Sequence, residues 1–567
     1  MNGAELIVDF LTRKGVKHDF GYPGGPVLVL YEAIYKANFP HVMTRHEQGA
    51  AHAAEGYAKV SGIPGVCIAT SGPGATNLVT GLADAYLDSV PILAITGAVS
   101  RKATGTDAFQ EADITGVTQP VTKYNYLVMN PDELLPILEE AWKLTTEGRP
   151  GPVLVNVPKD LLALPIKQSA RKAPTYTRHR PAKIRTRDMT DQVCAALKAC
   201  QRPLLLAGGG CVISPGCPEK LIRFIETLGL PVATTLMGKG AIPDSHPLYL
   251  GNLGMHGTPQ ANIALGTCDL LLAVGSRFSD RIIGDPELYN RSGPRTIIHV
   301  DIDPAEIGKN IRADIEIEDD AADFFDTMLK TGPLSQADSW QEWLNLLQNK
   351  KQRYIGLKNE MYKPAAPLPP QYVIHQVAEA LRGSNPVVVT DVGQHQQFVA
   401  QHYPIESPRS FITSGGLGTM GFGLPAAIGA GVAASGRTVV LFTGDGGFQM
   451  TIQELGLLAH LQLPVKIFIM DNSCLGMVRQ WQELFFQKHY SQSLLDNNPD
   501  FVKIAEAYGI PAGSAGDPAS LQEQLQTALK SPGPYIIRCY LDPNENVYPM
   551  IPAGKLPQDL LMPGMND

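Results

Sequence analysis

The sequence predicts an α/β protein with three domains, each a parallel sheet covered by helices on both faces. Short runs that are apolar throughout alternate with longer amphipathic stretches, and such runs are typical of parallel strands buried on both faces. The chain has 567 residues, and a single hydrophobic core stops growing at roughly 250–300 residues, which favours several domains. Strands are expected at 65–70, 90–96 and 152–157, at 203–207, 269–274 and 295–300, and at 386–390, 438–443, 465–470 and 535–539.

Two polar segments are predicted to be linkers between these domains. The first, at about 164–186, is basic and interrupted by prolines, and the second, at about 348–370, is rich in lysine and ends in a proline cluster. The first also lacks a regular apolar period, which is typical of loops. The predicted domains are therefore 1–163, 187–347 and 371–542, each of ordinary domain size, followed by a proline-rich tail at 543–567.

The composition excludes some classes of function. The net charge is −8 and the isoelectric point is near 5.9, whereas nucleic-acid-binding domains usually carry a basic face. No apolar stretch approaches the roughly 20 residues that cross a bilayer, and the N-terminus lacks the features of a signal or transit peptide. The eight cysteines form no C-x-x-C pair. We therefore expect a cytoplasmic protein that binds neither nucleic acid nor membrane.

The most specific local pattern follows two of the predicted strands. Gly444-Asp445-Gly446 comes directly after the run 438–443, and Asn472 follows the run 465–470, 27 residues beyond Asp445. Ligands of parallel sheets bind at the carboxyl ends of the strands, so both side chains should lie on one edge. Carboxylate and amide oxygens suit Mg²⁺, and glycines let a diphosphate approach the backbone. The pattern predicts a site for Mg²⁺ and a diphosphate.

This spacing resembles the motif of enzymes that depend on thiamine diphosphate (ThDP), in which G-D-G is followed after about 25–30 residues by Asn-Asn. Asp471 stands here in place of the first asparagine. The resemblance implies that Mg²⁺ is held by Asp445, Asn472 and the backbone carbonyl of Cys474. It further implies coenzyme contacts from Val392, Gly393, Gln394, His395, Gly418, Met420, Gly444, Gly446, Gly447, Gly476 and Met477.

Glu47 stands in the segment R-H-E-Q-G-A-A, at the start of a predicted helix. An acidic residue at a helix N-terminus is often only a surface residue that the helix dipole favours. ThDP chemistry, however, needs one carboxyl group against the aminopyrimidine ring of the coenzyme, and Glu47 matches the activating glutamate of the family. The resemblance therefore implies that Glu47 activates the coenzyme.

Two further segments resemble the acetohydroxyacid synthase (acetolactate synthase) family of ThDP enzymes, biosynthetic type. They are 472–485, which contains L-G-M-V-R-Q-W-Q, and 105–111, which reads G-T-D-A-F-Q-E; Thr104 and Ser279 depart from the usual family pattern. Such enzymes decarboxylate pyruvate and transfer the hydroxyethyl unit to a second 2-oxo acid, either pyruvate or 2-oxobutyrate. The products are 2-acetolactate and 2-aceto-2-hydroxybutyrate, in an early step of branched-chain amino-acid biosynthesis.

The same resemblance assigns roles to residues outside the ThDP motif. Arg281 matches an arginine that binds the carboxylate of the second acid, a task that suits a guanidinium. Trp481 would form the pocket for the extra methyl group of 2-oxobutyrate, although a lone Arg is usually a surface residue and a lone Trp usually core. The full set comprises catalytic positions at Glu47, Phe109, Gln110 and Lys159 and substrate contacts at Met255, Arg281, Val478 and Trp481.

The middle domain resembles the FAD-binding segments of that family. Because the net reaction is not a redox reaction, FAD is inferred from the resemblance alone. A separate G-x-G-x-x-G pattern at 416–421 has the spacing of a dinucleotide-binding loop, which follows a strand and precedes an acidic residue by about 20 positions. Here no clear strand precedes it and no acidic residue occurs between Gly416 and Asp445, so NAD binding is rejected there. The predicted FAD positions are Arg149, Gly208, Gly209, Gly210, Thr235, Leu236, Met255, His256, Gly275, Arg277, Arg281, Asp301, Ile302 and Asp320.

The resemblance also implies an assembly, a homodimer or tetramer in which ThDP lies between the first domain of one subunit and the third domain of its partner. Some family members bind a small regulatory subunit. Two alternatives remain: another ThDP and flavin enzyme, such as pyruvate oxidase or glyoxylate carboligase, or a non-catalytic scaffold with the same fold. Carboligases lack the activating glutamate, and a scaffold has no need to retain Glu47, Asp445 and Asn472 together.

Overall fold

Three parallel sheets of six strands form the framework of the chain. The computed structural model describes residues 1–166, 183–331, 340–552 and 554–562. Each sheet is covered by helices, so the predicted α/β class with three parallel sheets is confirmed. Within the described ranges, no helix is both long and apolar enough to cross a membrane.

The first sheet has the strand order β2-β1-β3-β4-β6-β5. Its strands are β1 (Asp19–Gly21), β2 (His41–Met43), β3 (Gly65–Ala69), β4 (Ile92–Ala98), β5 (Tyr124–Leu127) and β6 (Pro152–Pro158). Its helices are α1 (Gly3–Arg13), α2 (Leu28–Lys36), α3 (Glu47–Ser61), α4 (Pro73–Asn77), α5 (Val79–Leu87), α6 (Ile114–Thr118), α7 (Leu134–Thr146) and α8 (Lys159–Ala163).

The second sheet has the order β12-β11-β10-β7-β8-β9. Its strands are β7 (Pro203–Ala207), β8 (Val232–Thr234), β9 (Tyr249–Asn252), β10 (Leu270–Val274), β11 (Thr296–Asp301) and β12 (Ile315–Glu318). Its helices are α9 (Thr186–Ala199), α10 (Gly210–Ile213), α11 (Cys217–Leu228), α12 (Pro259–Thr267), α13 (Asp280–Ile283), α14 (Pro286–Arg291), α15 (Ala321–Lys330) and α16 (Gln341–Met361).

The third sheet has the order β14-β13-β15-β16-β18-β17. Its strands are β13 (Val387–Thr390), β14 (Phe411–Ile412), β15 (Val439–Gly444), β16 (Val465–Asp471), β17 (Ala512–Ala515) and β18 (Tyr535–Tyr540). Its helices are α17 (Pro370–Ala380), α18 (Gln394–His402), α19 (Gly423–Ala433), α20 (Asp445–Met450), α21 (Leu455–Leu461), α22 (Gly476–Phe485), α23 (Phe501–Ala507) and α24 (Pro518–Lys530).

All ten strands expected from apolar runs are present, and the described residues contain eight further strands that were not predicted. Each of these eight has four residues or fewer: β1, β2, β5, β8, β9, β12, β14 and β17. A run that short carries no recognisable period, so its pairing with neighbouring strands decides its conformation.

The predicted linker at 348–370 is wrong for 348–361, because α16 continues to Met361. This helix buries Trp343, Leu347 and Tyr354, which are four and seven residues apart and therefore lie on one face of a helix. The lysines between them hid this stripe. Of the other predicted linker, residues 167–182 lie outside the described residues, and α9 begins at Thr186.

The first and third sheets share one hydrophobic core, whereas the middle sheet has cores of its own. The contact between α3 and α19 is the closest part of the shared core. A Cβ on Gly56 would lie 2.1 Å from the carbonyl oxygen of Ala426, and one on Gly429 would lie 1.8 Å from that of Ala53. The two helices therefore pack backbone against backbone, and α3, which begins at Glu47, is held against the C-terminal domain.

Candidate active site

The carboxyl ends of β15 and β16 bring the residues of the G-D-G pattern together. Gly444 pairs with Met470 in the parallel register of these two strands. Asp445 begins α20 directly after β15, and Asn472 follows β16. Both line one pocket, as expected for side chains at the carboxyl edge of a parallel sheet.

This pocket, called the diphosphate pocket below, collects nearly all of the predicted ThDP contacts. It lies between α18, α20 and α22 and extends to the loop that contains Met420. Its lining includes Val392, Gly393, Gln394, His395, Met420, Gly444, Asp445, Gly446, Gly447, Asn472, Gly476 and Met477, together with Cys474 and Val478.

Two glycines of the diphosphate pocket are required by close contacts. A Cβ on Gly476 would lie 2.1 Å from Oε1 of Gln394, and one on Gly447 would lie 3.0 Å from Cγ of Asp391. A side chain at residue 476 would displace Gln394, which lines the pocket, and one at residue 447 would crowd the buried Asp391 behind it. The glycines therefore keep the backbone of the loops open to a bound group.

His395 carries an unpartnered polar atom in this pocket. Its Nε2 is buried and has no hydrogen-bond partner among the described residues. Burial lowers the pKa of His395 to about 4, so the imidazole is neutral at physiological pH. Buried polar atoms in proteins are nearly always hydrogen-bonded, and a polar group bound in the pocket would supply the missing partner.

Asp445 lies in a strongly acidic environment. Burial raises the pKa of Asp445 to about 7, and the neighbouring Asp471 carboxylate contributes to this increase. Asn498 Nδ2 donates to Asp445 Oδ2 at 2.6 Å, and Arg538 Nη2 lies 2.6 Å from Asp471 Oδ2. The Arg538 guanidinium balances the charge of Asp471, whereas no ion pair to Asp445 is found among the described residues. A divalent cation at Asp445 would favour its charged form, so the donor set fits Mg²⁺.

A chain of side-chain amides joins the diphosphate pocket to the tail. Asn472 Nδ2 donates to Gln394 Oε1 at 3.2 Å, and Gln394 Nε2 donates to Gln480 Oε1 at 2.9 Å. Gln480 in turn accepts from the backbone N–H of Val547 at 2.9 Å and donates to its carbonyl at 3.1 Å. Further along, the N–H of Ile551 donates to the carbonyl of Met255 at 2.8 Å. The described part of the predicted tail is thus docked on both the pocket and the middle domain.

Glu47 does not line the diphosphate pocket. Its side chain is buried at the start of α3, where Asn77 Nδ2 donates to Glu47 Oε2 at 2.9 Å. A Cβ on Gly74 would lie 3.0 Å from Glu47 Oε1. Every residue that lines the diphosphate pocket comes from 370–545. Glu47 is therefore not part of the pocket that contains Asp445.

The other predicted catalytic residues lie on the first domain with Glu47. Gln110 has a left-handed backbone, with φ of 62°, and packs against Gly72 in the loop before α4. Phe109 is 90% exposed, an unusual state for a phenylalanine, and Lys159 is exposed at the start of α8. Phe109 and Lys159 thus present their side chains to solvent in this chain.

A large cleft of about 1620 Å³ separates the middle domain from the other two. Val392, Gly393, Met420, Met477 and Val478 line both this cleft and the diphosphate pocket, so the two spaces adjoin. All four predicted substrate contacts line it, together with Gly418. Of the predicted FAD positions, the lining includes Arg149, Gly209, Gly210, Thr235, Leu236, Met255, His256, Gly275, Arg277, Arg281, Asp301, Ile302 and Asp320.

The polar groups of the cleft fit an anionic ligand with hydroxyl groups. Burial, followed by the charge of Arg149, lowers the pKa of Arg277, and an anion between the two guanidinium groups would relieve their repulsion. Asp301 stands at the end of β11, and burial raises its pKa to about 6. Gly208 does not line the cleft. A Cβ there would lie 2.0 Å from the carbonyl of Gly275, so Gly208 lets the two loops approach.

Three family models match the chain, in the same order as its three sheets. They are described as the thiamine pyrophosphate enzyme N-terminal TPP binding domain, at residues 1–117, the central domain, at 190–328, and the C-terminal TPP binding domain, at 391–539. The last of these spans the diphosphate pocket from Val392 to Cys474.

Similar proteins extend over the whole chain. A probable acetolactate synthase large subunit of Methanocaldococcus jannaschii is 44% identical, over 99% of this chain and 95% of its own length. The acetolactate synthase isozyme 2 large subunit of Escherichia coli is 44% identical over 99% of both chains.

This chain belongs to the acetolactate synthase large-subunit family of thiamine pyrophosphate enzymes.

A plant member of the acetolactate synthase family, the chloroplastic acetolactate synthase 2 of Zea mays, is 43% identical over 99% of this chain and 89% of its own length. The family resemblance inferred from 472–485 and 105–111 is therefore confirmed. The family models also confirm that the first and third domains are those of ThDP-binding proteins.

The G-x-G-x-x-G loop of this acetolactate synthase family member has its backbone donors already occupied. The N–H groups of Gly415 and Gly416 donate to the Asp88 carboxylate at 3.1 and 2.7 Å, and that of Gly421 donates to Asp391 at 3.0 Å. A dinucleotide phosphate would need such N–H groups. In this chain they fix the loop that places Met420 beside the diphosphate pocket.

Three residues of this site escaped the sequence analysis. Asp391 directly follows β13, and that position could have revealed it; its carboxylate accepts from the N–H groups of Val392 and Gly421. Asn498, which binds Asp445, lies 53 residues away in a segment without a pattern. Glu545 lines the pocket from the tail. No local signal could have found the last two, because only the folded chain brings them to the site.

Proposed function

We propose that this chain catalyses the acetolactate synthase reaction. It decarboxylates pyruvate and transfers the hydroxyethyl unit to pyruvate or 2-oxobutyrate, in an early step of branched-chain amino-acid biosynthesis. The observation that carries the proposal is the meeting of Asp445, Asn472 and the unpartnered His395 Nε2 in a pocket that adjoins the cleft with Arg281 and Trp481. The names of the relatives support this activity over that of pyruvate oxidase, glyoxylate carboligase or a scaffold.

The residues of the diphosphate pocket suit ThDP and Mg²⁺. Bound ThDP supplies a thiazolium ring that stabilises the negative charge left when a 2-oxo acid loses CO₂. Asp445, Asn472 and the carbonyl of Cys474 would hold Mg²⁺ through oxygen ligands. Glu47 would hold a proton at the aminopyrimidine ring, and its burial beside Asn77 keeps the carboxyl group in one orientation.

A second copy of the chain is needed to complete this site. The predicted catalytic residues of the first domain do not line the diphosphate pocket; they are Glu47, Phe109, Gln110 and Lys159. In a homodimer, or a tetramer built from such dimers, the first domain of one subunit would cover the pocket of its partner. The relatives of Escherichia coli and Methanocaldococcus jannaschii are named large subunits, which favours an additional small subunit for this chain as well.

The second substrate would bind in the cleft beside the pocket. Arg281 is 60% exposed, and its nearest acidic partner, Asp280, lies 3.7 Å away, so the guanidinium is available for a carboxylate. Trp481 packs edge-on against Phe485, with ring centroids 5.6 Å apart, and would form an apolar wall for the methyl group of 2-oxobutyrate. The remainder of the cleft would hold FAD between Arg149, Arg277 and Asp301, without a redox step in the net reaction.

The proposal is tested by incubating the purified chain with ThDP, Mg²⁺ and FAD and supplying pyruvate, alone or together with 2-oxobutyrate. We expect 2-acetolactate from pyruvate alone and mainly 2-aceto-2-hydroxybutyrate from the mixture, with flavin absorbance that co-elutes with the protein. Acetate or acetaldehyde as the main product would contradict the synthase assignment. Absence of any pyruvate consumption would favour the scaffold.

A further inference from the structure

Glu454 is a buried carboxylate of the C-terminal domain that contacts the first domain at the start of α3. It ends the short 3-10 turn Ile452–Glu454, nine residues after Asp445, and is fully buried. Both of its carboxylate oxygens accept from the backbone N–H of Arg45, at 3.0 and 3.1 Å. Glu454 is not one of the residues given a ThDP or substrate role above.

The contact with Arg45 lies two residues before Glu47. The backbone of His46 also favours the charged form of the Glu454 carboxyl group. Within the first domain, the Thr44 hydroxyl donates to the carbonyl of His46 at 3.0 Å, and His46 Nδ1 accepts from the N–H of Gln48 at 3.1 Å. Glu454 is thus a side chain of the C-terminal domain that holds the backbone from which Glu47 projects.

Gly49 shows that the position of the Glu454 carboxylate is confined. A Cβ on Gly49, in the first turn of α3, would lie 2.5 Å from Glu454 Oε1 and 2.9 Å from its Cδ. The carboxylate is therefore seated between the Arg45 N–H and the first turn of the helix. Burial raises the pKa of Glu454 to about 7, whereas the backbone N–H of Arg45 favours the charged form. A hydrogen bond to a charged acceptor is stronger than a neutral one.

We propose that Glu454 is a positioning residue for the activating carboxyl group of Glu47. By holding the Arg45 backbone and the first turn of α3, Glu454 sets the direction in which Glu47 meets the coenzyme. This inference rests on the role of Glu47 in the proposed function. It also gives the C-terminal domain two tasks: Asp445 serves the centre that this domain shares with the partner subunit, whereas Glu454 serves the centre that contains Glu47 of its own chain.

The first experiment measures activation of the coenzyme directly. The C2 hydrogen of ThDP, bound to the protein with Mg²⁺ and without pyruvate, is exchanged for deuterium, quenched and followed by NMR. We expect Glu454→Gln to slow this exchange about tenfold, because an amide keeps one acceptor and turns a donor towards the N–H of Arg45. The matched control is Glu506→Gln, an exposed residue of α23, which should exchange at the wild-type rate.

A double-mutant cycle separates positioning from a merely structural role. If Glu454 acts through Glu47, the double variant Glu47→Gln/Glu454→Gln exchanges no more slowly than Glu47→Gln alone. The proposal would be overturned if the factors by which the two single substitutions slow exchange multiply in the double variant. A wild-type exchange rate in Glu454→Gln would overturn it as well. If the wild-type protein itself exchanges no C2 hydrogen, the proposed function fails instead.

A second measurement needs no coenzyme, so it tests the role of Glu454 even if the wild-type protein exchanges no C2 hydrogen. Amide hydrogen exchange of the segment 43–50, followed by mass spectrometry, should be faster in Glu454→Gln than in the wild type and in Glu506→Gln. Gly49→Ala should have the same effect, even though alanine favours a helix, because its Cβ displaces the carboxylate. Unchanged exchange in both variants would overturn the proposal.

Mixed dimers test which centre Glu454 serves. In a dimer of Asp445→Asn and Glu454→Gln chains, one centre combines an intact Glu47 and Glu454 with an intact Asp445, so mixing the two poorly active variants should restore activity. Mixing Asp445→Asn with Glu47→Gln is the control for a site shared between subunits. Restoration in the control pair but not in the Glu454 pair would show that Glu454 acts on the pocket of its own domain, against the proposal.

Discussion

Gly429→Ala tests the backbone contact between α19 and α3. A Cβ at residue 429 would lie 1.8 Å from the carbonyl oxygen of Ala53, 2.6 Å from its carbonyl carbon and 2.9 Å from its Cα. All three are backbone atoms of a helix, so no change of rotamer can relieve the overlap. The helices must separate, and with them the first and third domains.

The loss of folding stability in Gly429→Ala follows from the distances between the added Cβ and Ala53. A carbon and a carbonyl oxygen need roughly 3.3 Å between them, so the helices would move apart by about 1.5 Å. Overpacking costs about 1–3 kcal/mol. We expect a cost at the upper end of this range, because the added Cβ is fixed to one helix backbone and meets the backbone of another. Alanine recovers about 1 kcal/mol of helix propensity. The net loss is about 2 kcal/mol, or roughly 4–8 °C in melting temperature for a domain of 150–250 residues.

The assay is thermal unfolding of wild type, Gly429→Ala and the control Gly431→Ala on the same helix. A Cβ at residue 431 would meet only side-chain atoms, at 3.1 Å from Leu463 and 3.5 Å from Val465. The control should therefore melt at or slightly above the wild-type temperature. A Gly429→Ala protein that melts with the control would refute the reasoning that this contact is rigid.

Two further outcomes are expected at the site. Trp481→Leu should still form 2-acetolactate but lose about tenfold of its preference for 2-oxobutyrate, because one methylene in an apolar pocket contributes roughly 1–3 kcal/mol; competition between the two acceptors measures this, and an unchanged preference would remove Trp481 from the pocket. Binding of Mg²⁺ with ThDP should weaken as the pH falls below about 7. Asp445 has a pKa of about 7 without metal and must lose its proton to bind the cation, so affinity should fall about tenfold per pH unit below this value and level off above it. Calorimetry from pH 5.5 to 8 measures the slope, and a flat profile would contradict the ligand role of Asp445.

The strands show which secondary structure a local sequence pattern is sufficient to predict. The ten predominantly apolar runs are all strands, because burial on both faces of a parallel sheet favours apolar side chains. Strands such as β14, with two residues, have too few side chains to display a pattern. The lysines of α16 likewise concealed a buried stripe of three aromatic or aliphatic residues.

The sequence by itself determined the α/β class, the central strands and the residues that follow them. Asp445 and Asn472 could be paired because each directly follows an apolar strand, and parallel strands place their carboxyl ends on one edge. The family followed from motifs that are continuous in the chain, and the relatives confirm it.

Only the tertiary structure decided which distant groups surround those motifs. Arg45 and Glu454 are 409 positions apart, yet they bond because two domains share one core. Asn498 reaches Asp445, and Gln394 and Gln480 tie the pocket to the tail. These contacts depend on the packing of whole helices and sheets, which no local sequence pattern encodes. That packing also leaves Glu47 outside the pocket that contains Asp445.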